Sequence, residues 1–312
     1  MIKEDFLRRV EEDVSLREYN TMRVECSAKF FVRASNVEDV VRAVKCSQEK
    51  GLPFLIMGKG SNIILPSAYE GFVIFMDMKE LSLFEEDMLK VNSEAGVFLP
   101  AMAKEVTEKG AHGMEWAGGV PGTVGGAIRG NAGAFDCFIS DFLKEVTALN
   151  IEEDFKKEVF KKEECFFDYR NSFFKRNNNY IILSASMEFP FKKGVDDKFK
   201  EYLRYRRENH PLEPSAGSIF KNPSVKEEFY LKHPEMEKFR DLGFIPARVL
   251  IEECGLKGAN RGGAQISEKH PNFIINKNGA RGEDVKKLIE LAKEEVKKKF
   301  FIEMKEEVTI VK

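Results

Sequence analysis

Gly118-Gly119-Val120-Pro121-Gly122-Thr123-Val124-Gly125-Gly126-Ala127 is the stretch that decides the fold. Its glycines strip side chains from the chain face, and Pro121 suits a helix start. Bare amide groups at a helix N-terminus carry partial positive charge and suit a pyrophosphate. The alternative is a helix packed closely on small residues. Upstream, Gly58-Lys59-Gly60-Ser61-Asn62 forms a second glycine turn after the apolar run Pro53–Met57. Two such turns fit a dinucleotide bridging them; the upstream one, alone, also reads as a plain tight turn. It is not a Rossmann fingerprint, because Ile63-Ile64-Leu65 stands where a third glycine would open a helix. A Walker loop is absent too, since glycine follows Lys59 in place of Ser or Thr. Asn131-Ala132-Gly133-Ala134 continues the small-residue path.

Outward from these turns, the first half alternates strand-like and helix-like pieces. Lys29–Arg33, Pro53–Met57 and Gly71–Met76 read as strands. Asn36 can cap a helix through Lys50, with Val37, Val40, Val41 and Val44 on one face, and Leu99–Glu108 reads as a second helix. After residue 142 the texture changes. Leu143–Ile151 and Lys156–Phe160 look like paired strands, and in Tyr180–Phe189 the residues Leu183, Ala185, Met187 and Phe189 share one face. A polar stretch from Phe191 to Asp197 reads as a boundary before a charged helix, Asp197–Asn209. The last third is a separate mixture. It has a helix from Pro246 to Cys254, a short strand Asn272–Asn276, and a helix Glu283–Lys299 striped by Val285, Leu288, Ile289, Ala292 and Val296. Phe301–Val311 is expected to close the chain as a strand.

Composition bounds the function. The chain has 312 residues, with 52 acidic against 50 basic side chains and a net charge of -2. That length predicts two or three domains, and the balance gives no global pull toward nucleic acid or an anionic membrane. No apolar run reaches the ~18–20 residues of a membrane span. The N-terminal stretch Met1–Val14 is charged throughout and lacks the apolar core of a secretion signal, so a cytoplasmic protein is expected. The five cysteines show no CxxC spacing and the four histidines no HExxH. Neither a disulfide framework nor a protein metal site is expected.

Four polar constellations are candidates for chemistry. Tyr169-Arg170-Asn171-Ser172 precedes a strand; Arg170 suits a bidentate carboxylate clamp, or is a surface arginine. Ser215-Ala216-Gly217-Ser218-Ile219-Phe220-Lys221-Asn222-Pro223 is a compact polar-aromatic loop, in which Ser218 also reads as a turn serine. Ser267-Glu268-Lys269-His270 could hydrogen-bond a phosphate or ribose, or His270 is a solvated or capping histidine. Glu306-Glu307 lies near the end, where an acidic pair is usually a solvent-facing edge.

Together, and in this order with Asn20-Thr21-Met22-Arg23-Val24 before them, these motifs resemble the UDP-N-acetylenolpyruvoylglucosamine reductase (MurB) family. The resemblance runs from about residue 20 to 310. It implies an α+β fold with a two-subdomain FAD-binding part of the vanillyl-alcohol-oxidase/PCMH type and a smaller αβ substrate-binding domain. The boundaries expected are 1–65 and 66–192 for the FAD subdomains and 193–300 for the substrate domain, with 301–312 a strand returning toward the active site. It implies non-covalent FAD held by Gly58, Lys59, Gly60, Ser61, Asn62, Gly119, Gly122, Thr123, Gly125, Gly126 and Ala127, with NADPH as co-substrate. By position, the family's catalytic arginine falls on Arg170, its proton-donating serine on Ser218 and its catalytic glutamate on Glu307. Substrate contacts fall on Tyr169, Asn222 and His270. The short span between Tyr180 and Ser215 resembles the class lacking a tyrosine-bearing loop.

The implied reaction passes a hydride from NADPH to flavin N5 and then to C3 of enolpyruvyl-UDP-N-acetylglucosamine. A proton reaches C2, and the product is UDP-N-acetylmuramate for peptidoglycan. The partner is therefore a small sugar nucleotide, with no call for nucleic acid, membrane or an obligatory protein. Besides a purely structural reading, which would leave both glycine turns empty, two other readings stay open on the residues alone. One is an oxidase or dehydrogenase of the same flavoprotein group, which the Ser215–Pro223 loop opposes. The other is a flavin- or nucleotide-sugar-binding protein without catalysis.

Overall fold

Asn36 opens the helix Val37–Glu49 by accepting the Asp39 amide on its side chain at 3.0 Å, the cap that its residue type favours. In this computed structural model, which describes residues 4–312, the helix buries Val40 and Val44 fully and Val37 and Val41 in part. The described residues divide into two compact units. One comprises residues 4–14, Ala28–Lys59 and Glu70–Glu208; the other comprises Ser15–Ser27, Gly60–Tyr69 and Asn209–Lys312.

The first unit is built on two sheets. A four-stranded sheet runs in the order Glu11–Ser15, Ser27–Ala34, Ala68–Met76, Phe54–Met57. Its last pair is parallel, with Phe54 opposite Phe72 and Met57 opposite Phe75. A five-stranded antiparallel sheet runs Lys156–Lys161, Leu143–Asn150, Tyr180–Phe189, Leu89–Glu94, Leu81–Glu85. The predicted face of Tyr180–Phe189 is buried at Leu183, Ala185, Met187 and Phe189. One continuous core joins strand residues such as Ile74 and Val91 to Trp116, Met102 and Ile128. Burial of this kind stabilises by about 1.5–3 kcal/mol per large apolar side chain.

The second unit centres on the helix Gly282–Phe300, whose predicted stripe of Val285, Leu288, Ile289, Ala292 and Val296 is buried. It packs on the helix Ala247–Glu253 and on the antiparallel sheet Ser215–Ser218, Phe273–Asn276, Ala264–Ile266, Asn260–Arg261.

Two expectations change. Phe301–Val311 is not a continuous strand. Glu306 makes a single bridge to Phe220, and only Thr309–Ile310 pairs, in parallel, with Ile63–Ile64. The helix, found at Val195–Asn209, does not open the second unit, because the division falls after Glu208. Its Phe199 and Arg206 lie against Gly118 and Gly119, where β-carbons would collide. No helix of the described residues is long and apolar enough to cross a membrane.

Candidate active site

In the first unit the two glycine turns meet. A β-carbon at Gly58 would lie 2.5 Å from Thr123 Oγ1. Thr123 caps the helix Val124–Gly130, its hydroxyl accepting the Gly126 amide at 3.3 Å. A β-carbon on Gly126 would meet only that hydroxyl, at 3.5 Å, so this glycine presents bare backbone. Next to Gly58, the Lys59 ammonium sits 5.8 Å from the Phe75 ring centre and 5.9 Å from that of Phe98. The residues fit a flat, anionic dinucleotide: bare backbone at Gly126, the Thr123 hydroxyl beside it and the Lys59 cation nearby.

The stretch does not all face one way. Gly125 lies against Ala95, 2.7 Å from where its β-carbon would be, and Ala127 is buried. The two are packing residues, as Gly119 is against Arg206. For these three the close-packing alternative holds; Gly58 likewise makes room for the Thr123 side chain, and Gly126 is left with its backbone bare. The helix is only seven residues long, and Pro121 precedes its cap instead of opening its first turn.

Arg170 belongs to the same unit and is fixed to the end of this helix. Asp168 and Asn171 exchange backbone hydrogen bonds of 3.1 and 3.0 Å, leaving Tyr169-Arg170 as a two-residue turn. Arg170 adopts φ +54°, a left-handed conformation costing a non-glycine residue about 1–2 kcal/mol. Ser172 Oγ donates to the Arg129 carbonyl at 2.7 Å, and Asn131 Nδ2 to the Asp168 carbonyl at 3.1 Å. Arg170 Nη2 donates to the Gly133 carbonyl at 2.7 Å, with the guanidinium 5.2 Å from the Tyr169 ring centre. Three anchors thus hold the Tyr169-Arg170 turn against the end of the helix.

The second unit gathers the remaining motifs. Gly60 adopts φ +57°, and a β-carbon there would lie 2.7 Å from the Tyr19 carbonyl and 2.8 Å from Asn20 Cα. Only glycine fits. Asn20 is buried and bonds the Leu16 and Val24 carbonyls and the Val24 amide. Thr21 Oγ1 donates to the Ser215 carbonyl at 2.7 Å. Asn20–Val24 is thus a brace tying the Gly60 turn to the Ser218 strand.

Ser218 ends that strand opposite Phe273, after an irregularity at Gly217, whose φ is +77°. Buried Asn272 holds the loop, accepting the Phe220 amide at 3.0 Å and donating to the Phe220 carbonyl at 2.9 Å. The Glu307 amide donates to the Ile219 carbonyl at 2.7 Å, which brings the chain terminus alongside Ser218. Asn62 Nδ2 donates to the Glu307 carbonyl at 3.2 Å, so Asn62 has a structural tie within this unit.

The two neighbouring glutamates separate by their partners. Glu306 accepts a bond from Lys293 Nζ at 2.9 Å, which raises the lysine's pKa. If Glu307 carries the role its position in the motif implies, Glu307→Gln depresses turnover by at least tenfold, with Glu306→Gln near wild type and losing about 0–1 kcal/mol of stability. Steady-state rates and thermal melts of both variants check this; a reversed ranking moves the role to Glu306.

Asn222 and His270 differ from expectation in their surroundings. Asn222 Oδ1 accepts the Ala247 amide at 3.0 Å, starting the helix Ala247–Glu253. The His270 ring packs edge-on against His210 and Phe273, at 5.4 and 4.8 Å between ring centres. Burial, then Arg248, pushes its pKa down to about 4, so the ring is neutral at pH 7. Its Nδ1 is buried without a partner. Asn20 and Asn272 emerge only here as site supports, since a buried asparagine leaves no periodic signal in sequence.

The fold is of the α+β class, and the residues at the glycine turns fit a dinucleotide. Residues 28–153 match the FAD binding domain family, and residues 209–311 match the family described as UDP-N-acetylenolpyruvoylglucosamine reductase, C-terminal domain. The protein of that name from Carboxydothermus hydrogenoformans is 35% identical over 318 residues, covering 99% of this chain and 98% of the relative. Its namesake from Thermotoga sp. (strain RQ2) is 37% identical over 295 residues, covering 94% and 90%. The crystal structure of MurB from Thermus caldophilus superimposes with a TM-score of 0.76 at 26% identity, covering 97% of this chain and 99% of that one. The chain belongs to the UDP-N-acetylenolpyruvoylglucosamine reductase family, and it is an FAD-containing oxidoreductase.

Proposed function

We propose that this chain uses NADPH to reduce the vinyl double bond of enolpyruvyl-UDP-N-acetylglucosamine, giving UDP-N-acetylmuramate for peptidoglycan in the cytoplasm. The observation that carries this reading is the Glu307–Ile219 backbone bond of 2.7 Å. It supports Ser218 and Glu307 acting as a pair, although about 90 residues separate them in the chain. Bound FAD supplies hydride transfer from NADPH to C3 of the vinyl group.

The protein's own groups do the rest. Arg170 pairs with the substrate carboxylate and stabilises the negative charge that develops there and on C2. Ser218 delivers its hydroxyl proton to C2. Glu307 has a supporting role at the same carboxylate or in proton delivery. Tyr169 and His270 serve as substrate contacts, His270 as a neutral ring. Gly58, Lys59, Thr123 and Gly126 hold the cofactor, with Gly60, Ser61 and Gly122 shaping the same turns. In domain terms, the first unit is the FAD-holding part and the second recognises the sugar nucleotide. The substrate is a small molecule, and the reading needs no macromolecular partner.

Two measurements test it. Acid precipitation of yellow, purified protein is expected to release free FAD. Incubation with NADPH and the enolpyruvyl sugar nucleotide is expected to consume one NADPH per product, with a mass gain of two hydrogens. Colourless protein that takes up no FAD, or NADPH oxidation without the reduced product, contradicts the proposal.

A further inference from the structure

The hairpin formed by Gly133–Ala134 and Cys137–Phe138 carries an arginine at each end. At its root, Arg170 Nη2 bonds the Gly133 carbonyl at 2.7 Å. At its tip, the Arg206 guanidinium sits 5.9 Å from the centre of the Phe135 ring. All of these residues lie within the first unit. The tip is strained: Phe135 and Asp136 both take left-handed backbone, at φ +55° and +57°. Such a turn favours Asn-Gly, yet it holds an exposed phenylalanine. That ring is stacked on Tyr202 at 3.9 Å between centres and an interplanar angle of 1°, with Tyr205 edge-on at 5.4 Å.

Arg206 is held by this aromatic wall without a carboxylate. Its Nη2 donates to the Trp116 carbonyl at 3.3 Å, and its Nε is buried with no acceptor. The titratable groups that act on it are Arg170 and Tyr205, with no acid among them. Burial and then the charge of Arg170 push its pKa down to about 10, so it remains a cation at neutral pH. A half-buried guanidinium that feels a second positive charge is costly unless an anion joins them. The fork geometry of arginine suits phosphate oxygens.

We propose that Arg206 is a second anion-binding arginine of this enzyme, holding a phosphate group of a nucleotide ligand beside Arg170, with Phe135, Tyr202 and Tyr205 fixing its guanidinium. The inference rests on the function proposed above, which supplies two sources of that chemistry: the diphosphate of the sugar nucleotide and the phosphates of NADPH.

Calorimetric titration of the FAD-loaded protein with UDP and with 2′,5′-ADP separates them. Arg206→Gln is expected to weaken at least one of the two by about 10- to 100-fold, the loss of a charged hydrogen bond to phosphate, with flavin content unchanged. Weakening of UDP alone assigns the sugar nucleotide, of 2′,5′-ADP alone the reductant, and of both a shared subsite. Should Arg206→Gln fail to fold, Arg206→Lys keeps the charge but loses the fork, and a weakening of about threefold or more supports the proposal. A folded variant that binds both ligands as wild type does overturns this inference alone. Wild-type protein that binds neither overturns the proposed function with it.

Discussion

Ser218→Ala is expected to keep FAD and to keep rapid bleaching by NADPH, while reoxidation by enolpyruvyl-UDP-N-acetylglucosamine slows by about 10²–10⁴-fold. That range equals roughly 3–5.5 kcal/mol at 1.36 kcal/mol per decade. A serine hydroxyl is a weak acid near neutral pH. The base it meets is strong, however, because hydride addition at C3 leaves an enolate-like dianion centred on C2. A protonated Glu307, whose backbone bonds the residue next to Ser218, would return a proton to the serine oxygen. Position makes the transfer selective: Gly217 turns the strand, and the two bonds of Asn272 to Phe220 hold the loop rigid behind it. Ser218→Cys retains a proton donor and is expected to slow less. Stopped-flow reoxidation at saturating substrate is the check. A wild-type rate in Ser218→Ala places the proton donor elsewhere, and a loss that saturation repairs reduces Ser218 to a loop-shaping role.

The second large effect is expected at Arg170. Arg170→Ala should slow the oxidative half-reaction by about 10²–10³-fold, well beyond its effect on flavin reduction by NADPH. Only the enolpyruvyl carboxylate needs a clamp that tightens as charge develops. The left-handed backbone at Arg170 adds a separate signature. Arg170→Gly relieves the local strain that Arg170→Ala keeps and should melt above that variant, while sharing the kinetic loss. Equal slowing of both half-reactions would mean that Arg170 serves both ligands or only the fold.

Much of this architecture is legible where the signal is local. The Asn36 cap, the stripe along Val285–Val296 and the alternation of Leu183, Ala185, Met187 and Phe189 all follow from periods of 3.6 or 2 in contiguous residues. The catalytic motifs were legible for another reason: their order and residue types together resemble one family. What stayed hidden is non-local. Phe301–Val311 looks like a strand by composition, but its partner, Ile63–Ile64, is two residues long. The helix Val195–Asn209 follows a polar break and reads as a new domain; Gly118 and Gly119 claim it for the first unit because they leave room for Phe199 and Arg206. Asn20 and Asn272 act through backbone groups of distant loops. In the glycine-rich stretch, composition alone does not separate the packing glycines from those that present bare backbone; Gly125 and Gly126 are neighbours with opposite surroundings.

The central claim is that one flavin couples NADPH oxidation to reduction of the enolpyruvyl group. An anaerobic two-step titration tests it most directly. One equivalent of NADPH is added to the FAD-loaded protein, followed by one equivalent of enolpyruvyl-UDP-N-acetylglucosamine, with the flavin's visible absorbance recorded throughout. The account predicts full bleaching at the first addition, full recovery at the second, and one equivalent of UDP-N-acetylmuramate. A flavin that stays bleached with the sugar nucleotide, yet recovers on admission of oxygen, would contradict it.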